Sequence, residues 1–270
     1  GYQVTWLGVD EKGAIDPEEL RASLTEKTAV VSIMTANNET GVLFNVSDAA
    51  RIVKENSAAL FHTDSVNAAG KVPINAGASH IDLLSISAHK FHGPKGIGAL
   101  YVRSGTAIPR FFHGGGQENG MRPGTEAVHQ IAGMGAAAEY VRDLGPMERV
   151  RELRKRLEDG LLAAVPDSSL NGTADEWARL PNTTNISFPG ANGDAILARL
   201  DNLGIYVSTG SACNSAAHET SPVLQAMNVP YAKAMGSIRF SLGRFNTEEE
   251  VETVLDVFPP IISELRSIAA

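Results

Sequence analysis

Apolar and polar positions change rhythm about halfway along the chain. In the first half, short apolar runs alternate with amphipathic stretches and end in polar clusters. "TAVVSIMTANNE" (28–39) predicts a buried strand running into a polar loop, and "VSDAARIVKENS" (46–57) predicts a helix with Ser47 as its N-cap. "ALFHTDSVNAAG" (59–70) predicts a strand ending in polar residues, and "IDLLSIS" (81–87) and "IGALYVR" (97–103) have strand length. A turn-rich segment, "FFHGGGQENGMRPGTEA" (111–127), leads into a long helical pattern over 127–165 that Pro146 breaks or kinks.

The second half alternates differently. Strands are expected in "TTNISFPG" (183–190), "IYVSTGSAC" (205–213) and "SIRFSLGRF" (237–245). Helices are expected in "DAILARLDNLG" (194–204), "SPVLQAMNV" (221–229) and "TEEEVETVLDVF" (247–258). We place a boundary near residue 145, giving domains 1–144 and 145–270. Alternating strands and helices predict an α/β fold with a mostly parallel sheet in the first domain. Ligands bind such sheets beyond the carboxyl ends of the strands. Three polar clusters fall there: Asn37 with Asn38, Asp64 to Asn67, and Ser87 to Lys90.

Composition narrows the classes. The 270 residues are 43% hydrophobic and 20% charged, which is ordinary for a globular protein. The net charge of −8 argues against nucleic acid or an anionic membrane as the main partner. No apolar run has the length of a membrane span, and the first residues lack the pattern of a signal peptide. The single cysteine, Cys213, excludes an internal disulfide, so a reducing, cytoplasmic setting is expected. The chain begins with Gly1 rather than methionine, which reads as a processed or truncated product.

Lys90, in "SISAHKFHGPKGIGALYV", is the residue that most needs an explanation, because a charged amine at the edge of a buried strand is costly unless something uses it. Phosphate binding fits poorly, since "GPKGIG" lacks the P-loop spacing and leads into a strand-like run. A plain surface lysine is the common fate of any single lysine. Covalent chemistry is the third use: a Schiff base with an aldehyde cofactor such as pyridoxal 5′-phosphate, PLP. That use needs a carboxylate for the pyridine nitrogen, donors for the phosphate and a cation for a substrate carboxylate. The chain offers a candidate for each.

Six stretches carry a resemblance: "TANNETG", "FHTDSVNAAGK", "SISAHKFHGPKGIGALYVR", "GGGQENGMRPGTEAVHQIAGMG", "STGSACNSA" and "GSIRFSLGRFNTEEEVE". Their order and spacing resemble those of the NifS/IscS-type cysteine desulfurases, class V aminotransferases of the fold-type I PLP group. The resemblance implies an aminotransferase-like α/β fold, with an incomplete large domain and a smaller C-terminal α/β domain. It implies that Lys90 is the Schiff-base lysine, that Asp64 pairs with the pyridinium, and that Ser87 and His89 donate to the phosphate. Thr125 resembles the threonine that reaches the phosphate of the other subunit's cofactor, although it also reads as a helix N-cap. Asn38 resembles the asparagine near the phenolic oxygen and the substrate carboxylate, and Arg239 the arginine that clamps that carboxylate. Asn37 and His62 read as structural, and Arg244 as a packing or salt-bridge residue.

Cys213 lies in a small, polar, glycine-containing stretch that reads as an exposed mobile loop. The resemblance implies that it attacks the substrate sulfur, leaving alanine and a persulfide. Cys213 with His218 supplies only two metal ligands, so no metal site is expected.

Two departures from the family are visible. Asn67 stands where most members carry glutamine near the cofactor's phenolic oxygen, so that hydrogen bond is one methylene short. The family's N-terminal third is also missing, with its phosphate loop and the histidine that stacks on the ring. The expectation is a sheet with exposed apolar surface and a 270-residue chain that is inactive, or nearly so, by itself, although the parent protein is expected to be an enzyme. The leading reading is a homodimeric PLP-dependent cysteine desulfurase that takes L-cysteine and passes sulfur to an iron–sulfur scaffold or another thiol acceptor. The alternatives are a selenocysteine lyase or related aminotransferase, and a truncated, non-catalytic remnant that binds a partner.

Overall fold

The computed structural model describes residues 1–209 and 220–269. In chain order the elements are α1 (Pro17–Ser23), β1 (Val30–Ser32), α2 (Val46–Asn56), β2 (Leu60–Asp64), β3 (Leu83–Ser87), β4 (Gly98–Val102), α3 (Val128–Tyr140), α4 (Pro146–Ala164), β5 (Ser169–Leu170), β6 (Thr183–Ser187), α5 (Gly193–Asp201), β7 (Ser208–Thr209), α6 (Pro222–Ala226), α7 (Tyr231–Ala234), β8 (Ser237–Ser241) and α8 (Glu248–Ala269). Short 3-10 turns occur at Ala88–Phe91 and Glu118–Gly120.

The chain divides into two compact units. One comprises residues 24–35 and 45–144; the other comprises 1–23, 36–44 and 145–270. This differs from a single cut at residue 145. Segment 36–44 joins the C-terminal unit because Val42 bridges to Arg179 and the Leu43 amide donates to the Ala178 carbonyl. No pattern of apolar residues announces such a pairing.

In the 24–144 unit the sheet order is β1-β2-β3-β4. β1, β2 and β3 run parallel, and β4 returns antiparallel to β3. α2 lays Ala49, Ala50, Ile52 and Val53 inward. Its N-cap is Asn45, whose side chain accepts from the Asp48 amide, rather than the expected Ser47. An asparagine and a serine two positions apart are both good caps, and backbone conformation chose between them. All five positions of β4 are exposed, with Leu100 at 49%, so the sheet does present apolar surface at this strand.

The other unit is built on a sheet of order β5-β6-β8-β7, antiparallel throughout. Leu157 and Leu161 of α4, Ile196 and Leu200 of α5, and Phe258 and Ile262 of α8 form one buried cluster with Ile186, Phe188, Ile238 and Phe240. Pro146 opens α4 at its first turn, where its missing N–H costs nothing. α8 continues through Pro259 and Pro260 instead of stopping at Phe258. Phe258 and Ile262, one turn apart and both buried, hold the helix across the lost backbone bonds. Among the described residues, no helix is long and apolar enough to cross a membrane.

Candidate active site

The carboxyl ends of β2 and β3 lie side by side, with Asp64 in register with Ser85. Asp64 ends β2 exposed; its side chain accepts from the Val66 amide and its carbonyl accepts from the Thr35 amide, at 2.8 and 2.7 Å. Beneath it, Thr35 shares hydroxyl hydrogen bonds with Thr63 and Ser65, all three side chains being buried. That network fixes the strand end carrying the aspartate. His62 bridges Ser32 and Ser85 across the three parallel strands, at 2.7 and 2.9 Å. It is structural, as the sequence suggests.

Ser87 ends β3, and the chain then turns through Ala88–Phe91. Ala88 and Phe91 are buried with Ala137 and Val141 of the α3 region. His89 and Lys90, between them, are therefore pushed outward and exposed. His92 closes the turn in the left-handed region, with its ring edge-on to Tyr140 at 5.9 Å. The core contacts on both sides of the turn are what present the lysine amine. This donor set fits a pyridoxal phosphate group. An amine, a carboxylate, a hydroxyl and an imidazole occupy adjoining ends of two parallel strands, and the turn and the hydroxyl network hold them.

Sequence reasoning missed Lys71. Its amine donates to the carbonyls of Asn67, at 2.8 Å, and Lys90, at 3.4 Å, tying two candidate residues together. Burial and the nearby Lys90 charge lower its pKa to about 8. The signal available was its place at the end of "FHTDSVNAAGK". Since the unfolded lysine titrates near 10.5, the unfolded chain binds more protons between pH 8 and 10.5. The cost of burying the charge is thus fully present below pH 8 and fades as pH rises to 10.5. Urea midpoints should therefore show wild type gaining on Lys71→Met as the pH goes from 7 to 10. A difference that stays flat contradicts the burial of a charged amine.

Thr125 is exposed and lies three residues before α3, whose N-cap position is Ala127 without a side-chain hydrogen bond. The expectation that Thr125 caps this helix does not hold, because the helix starts later.

In the other unit, Asn37 is buried, and its side-chain oxygen accepts from the Glu39 and Thr40 amides, both at 2.9 Å. It shapes the turn, while Asn38 is exposed. Arg239, on β8 opposite Asn185 and Ser208, donates from Nη1 to the Asn38 carbonyl at 2.8 Å. Its Nε is buried without a hydrogen-bond partner. Burial lowers its pKa, against the pull of the Glu39 charge. The guanidinium is thus anchored through Nη1. Cys213 and His218 lie outside the described residues. Among the described residues, no group of three His, Cys, Asp or Glu side chains could hold a metal.

The class-V aminotransferase family matches residues 1–254. A curated relative from Trichormus variabilis, cysteine desulfurase 2, is 50% identical over the whole chain, which covers 67% of that relative. Cysteine desulfurase NifS from Azotobacter vinelandii is 48% identical at the same coverage. Among solved structures, a NifS-like protein superposes with a TM-score of 0.90 at 40% identity, over 98% of this chain and 69% of that one. SspA in complex with cysteine superposes with a TM-score of 0.76 at 31% identity, over 92% and 68%. The chain belongs to the class-V aminotransferase family, among its NifS-like cysteine desulfurases.

Proposed function

We propose that the protein is a PLP-dependent cysteine desulfurase converting L-cysteine to L-alanine. The observation that carries this reading is the presentation of Lys90 on a core-anchored turn after β3, the strand paired with the one that ends in Asp64, in a chain about half identical to named cysteine desulfurases. When bound, PLP supplies an electron sink that labilises the bonds at the substrate α-carbon. Lys90 would hold the cofactor covalently and would move the α-proton. Asp64 would keep the ring nitrogen protonated, Asn67 would serve the phenolic oxygen, and Ser87 and His89 would donate to the phosphate. Thr125 would donate to the phosphate in the partner subunit of a homodimer. Arg239 and Asn38 would orient the substrate carboxylate.

The Cys213 thiol then takes the sulfur. The Cβ–S bond of cysteine breaks, an S–S bond forms on Cys213, and the proton balance leaves alanine and a persulfide. The resemblance supports onward transfer to an iron–sulfur scaffold or another thiol acceptor, and the single cysteine supports a cytoplasmic setting. Cys213→Ala separates this chemistry from lyase behaviour. With L-cysteine, the variant should lose at least ~100-fold in alanine formation, the scale of losing a nucleophile. Equal loss with L-selenocysteine fits strict use of the thiol, whereas retained selenocysteine turnover would assign the protein to the selenocysteine lyases.

A further inference from the structure

Glu39 is a buried carboxylate, 7% exposed, in the middle of "TANNETG", and the proposed chemistry gives it no role. Three contacts fix it. Its amide donates to the Asn37 side chain, and its carbonyl accepts from Asn185 Nδ2 at 3.3 Å. Its Oε2 accepts from the Ser221 hydroxyl, the same oxygen that caps α6 by accepting from the Val223 and Leu224 amides. Asn185 pairs with Arg239 across β6 and β8, and Arg239 grips the neighbouring Asn38 carbonyl. The carboxylate and the guanidinium are therefore built on one rigid frame and feel each other's charge. Burial pushes the Glu39 carboxyl above its usual range, against the pull of Ser221 and Arg239. Among the described ion pairs within 4 Å none joins the two, so the charge of Glu39 acts on Arg239 without pairing with it directly.

We propose that Glu39 is a positioning residue of the carboxylate site: a fixed counter-charge, held by Ser221, that tempers the grip of Arg239 on an anionic ligand so that product can leave. This rests on the reading of Arg239 as the carboxylate clamp. A ligand carboxylate drawn to Arg239 meets the field of Glu39 as well, and like charges in a partly buried frame weaken binding.

The test is calorimetric titration of the holoenzyme with 3-mercaptopropionate, which has the carboxylate and thiol of cysteine but no amine to form an imine. Glu39→Gln keeps an acceptor for Ser221 and removes the charge. Its Kd should fall about three- to tenfold, the scale of one screened charge. Glu39→Met, a second neutral variant, should move the same way. Ser221→Ala removes a hydrogen bond that favours the ionised carboxyl but not the carboxyl itself, so it should tighten binding less than Glu39→Gln. On an Arg239→Gln background the Glu39→Gln gain should vanish. Unchanged or weaker binding by the two neutral variants, with native melting, overturns the proposal, as does equal tightening by Ser221→Ala. If Arg239→Gln alone leaves the affinity unchanged, the clamp assignment itself fails, and the proposal falls with it. A purely structural Glu39 predicts weaker binding in every variant.

Discussion

Replacing Lys90 with alanine is expected to abolish the pyridoxyl adduct that borohydride fixes on the protein, and to slow alanine production from L-cysteine by about a thousandfold or more. The geometry limits what else could explain such a loss. Lys90 is exposed, so its removal leaves no cavity, and the turn that carries it is held by buried Ala88 and Phe91. The variant should therefore melt like wild type. Lys71 is the natural competitor, being a second amine whose hydrogen bond reaches the Lys90 carbonyl. Peptide mapping separates the two: the adduct belongs on the peptide containing Lys90, and an adduct on Lys71 would sink the assignment.

The second large effect concerns stability. Glu158 on α4 is 5% exposed and accepts from Arg179 through both oxygens, at 3.2 and 2.6 Å, and from Thr184. Arg154, fully buried, reaches Glu158 at 3.5 Å and grips Glu176 through both of its terminal nitrogens. Two guanidiniums with little access to water thus depend on two carboxylates. Arg179 also donates to the Thr173 and Thr183 carbonyls, which ties α4 to β6 and the loop before it. Glu158→Gln leaves the arginines undercompensated and should cost about 3–5 kcal/mol in chemical denaturation. A cost under ~1 kcal/mol would mean that water or Glu176 takes over the charge. Replacing Arg154, Glu158, Glu176 and Arg179 together with apolar side chains of matched volume should restore much of the loss, because the network stabilises less than its parts suggest.

Lys90 and the Glu158 network also show what the sequence made legible. Lys90 stands out because a charged amine at the edge of a buried strand is costly unless something uses it, whereas Asp64 is promoted only by its place in "FHTDSVNAAGK". The Arg154–Glu158 pair reads as the solvated face of a charged helix, "MERVRELRKRLEDG", because (i, i+4) opposite charges usually lie outside. Its partners Glu176, Arg179 and Thr184 all come from the segment that follows the helix. Glu39 was hidden for a similar reason: its partners Asn185 and Ser221 lie 146 and 182 residues away in sequence. Local rules also failed at Asn45, at the α8 prolines, and at β5, which is too short to leave a periodic signal. The frame of each unit was legible from patterning, whereas the polar contacts that tune the site were not.

The most direct measurement follows both products in one reaction. The PLP-loaded protein is given L-cysteine without reductant, alkylated, digested and mass-mapped, while alanine is quantified in the supernatant. One alanine per persulfide is expected in the first turnover, with the added sulfur confined to the Cys213 peptide. Alanine without sulfur on Cys213, or pyruvate in place of alanine, would contradict it.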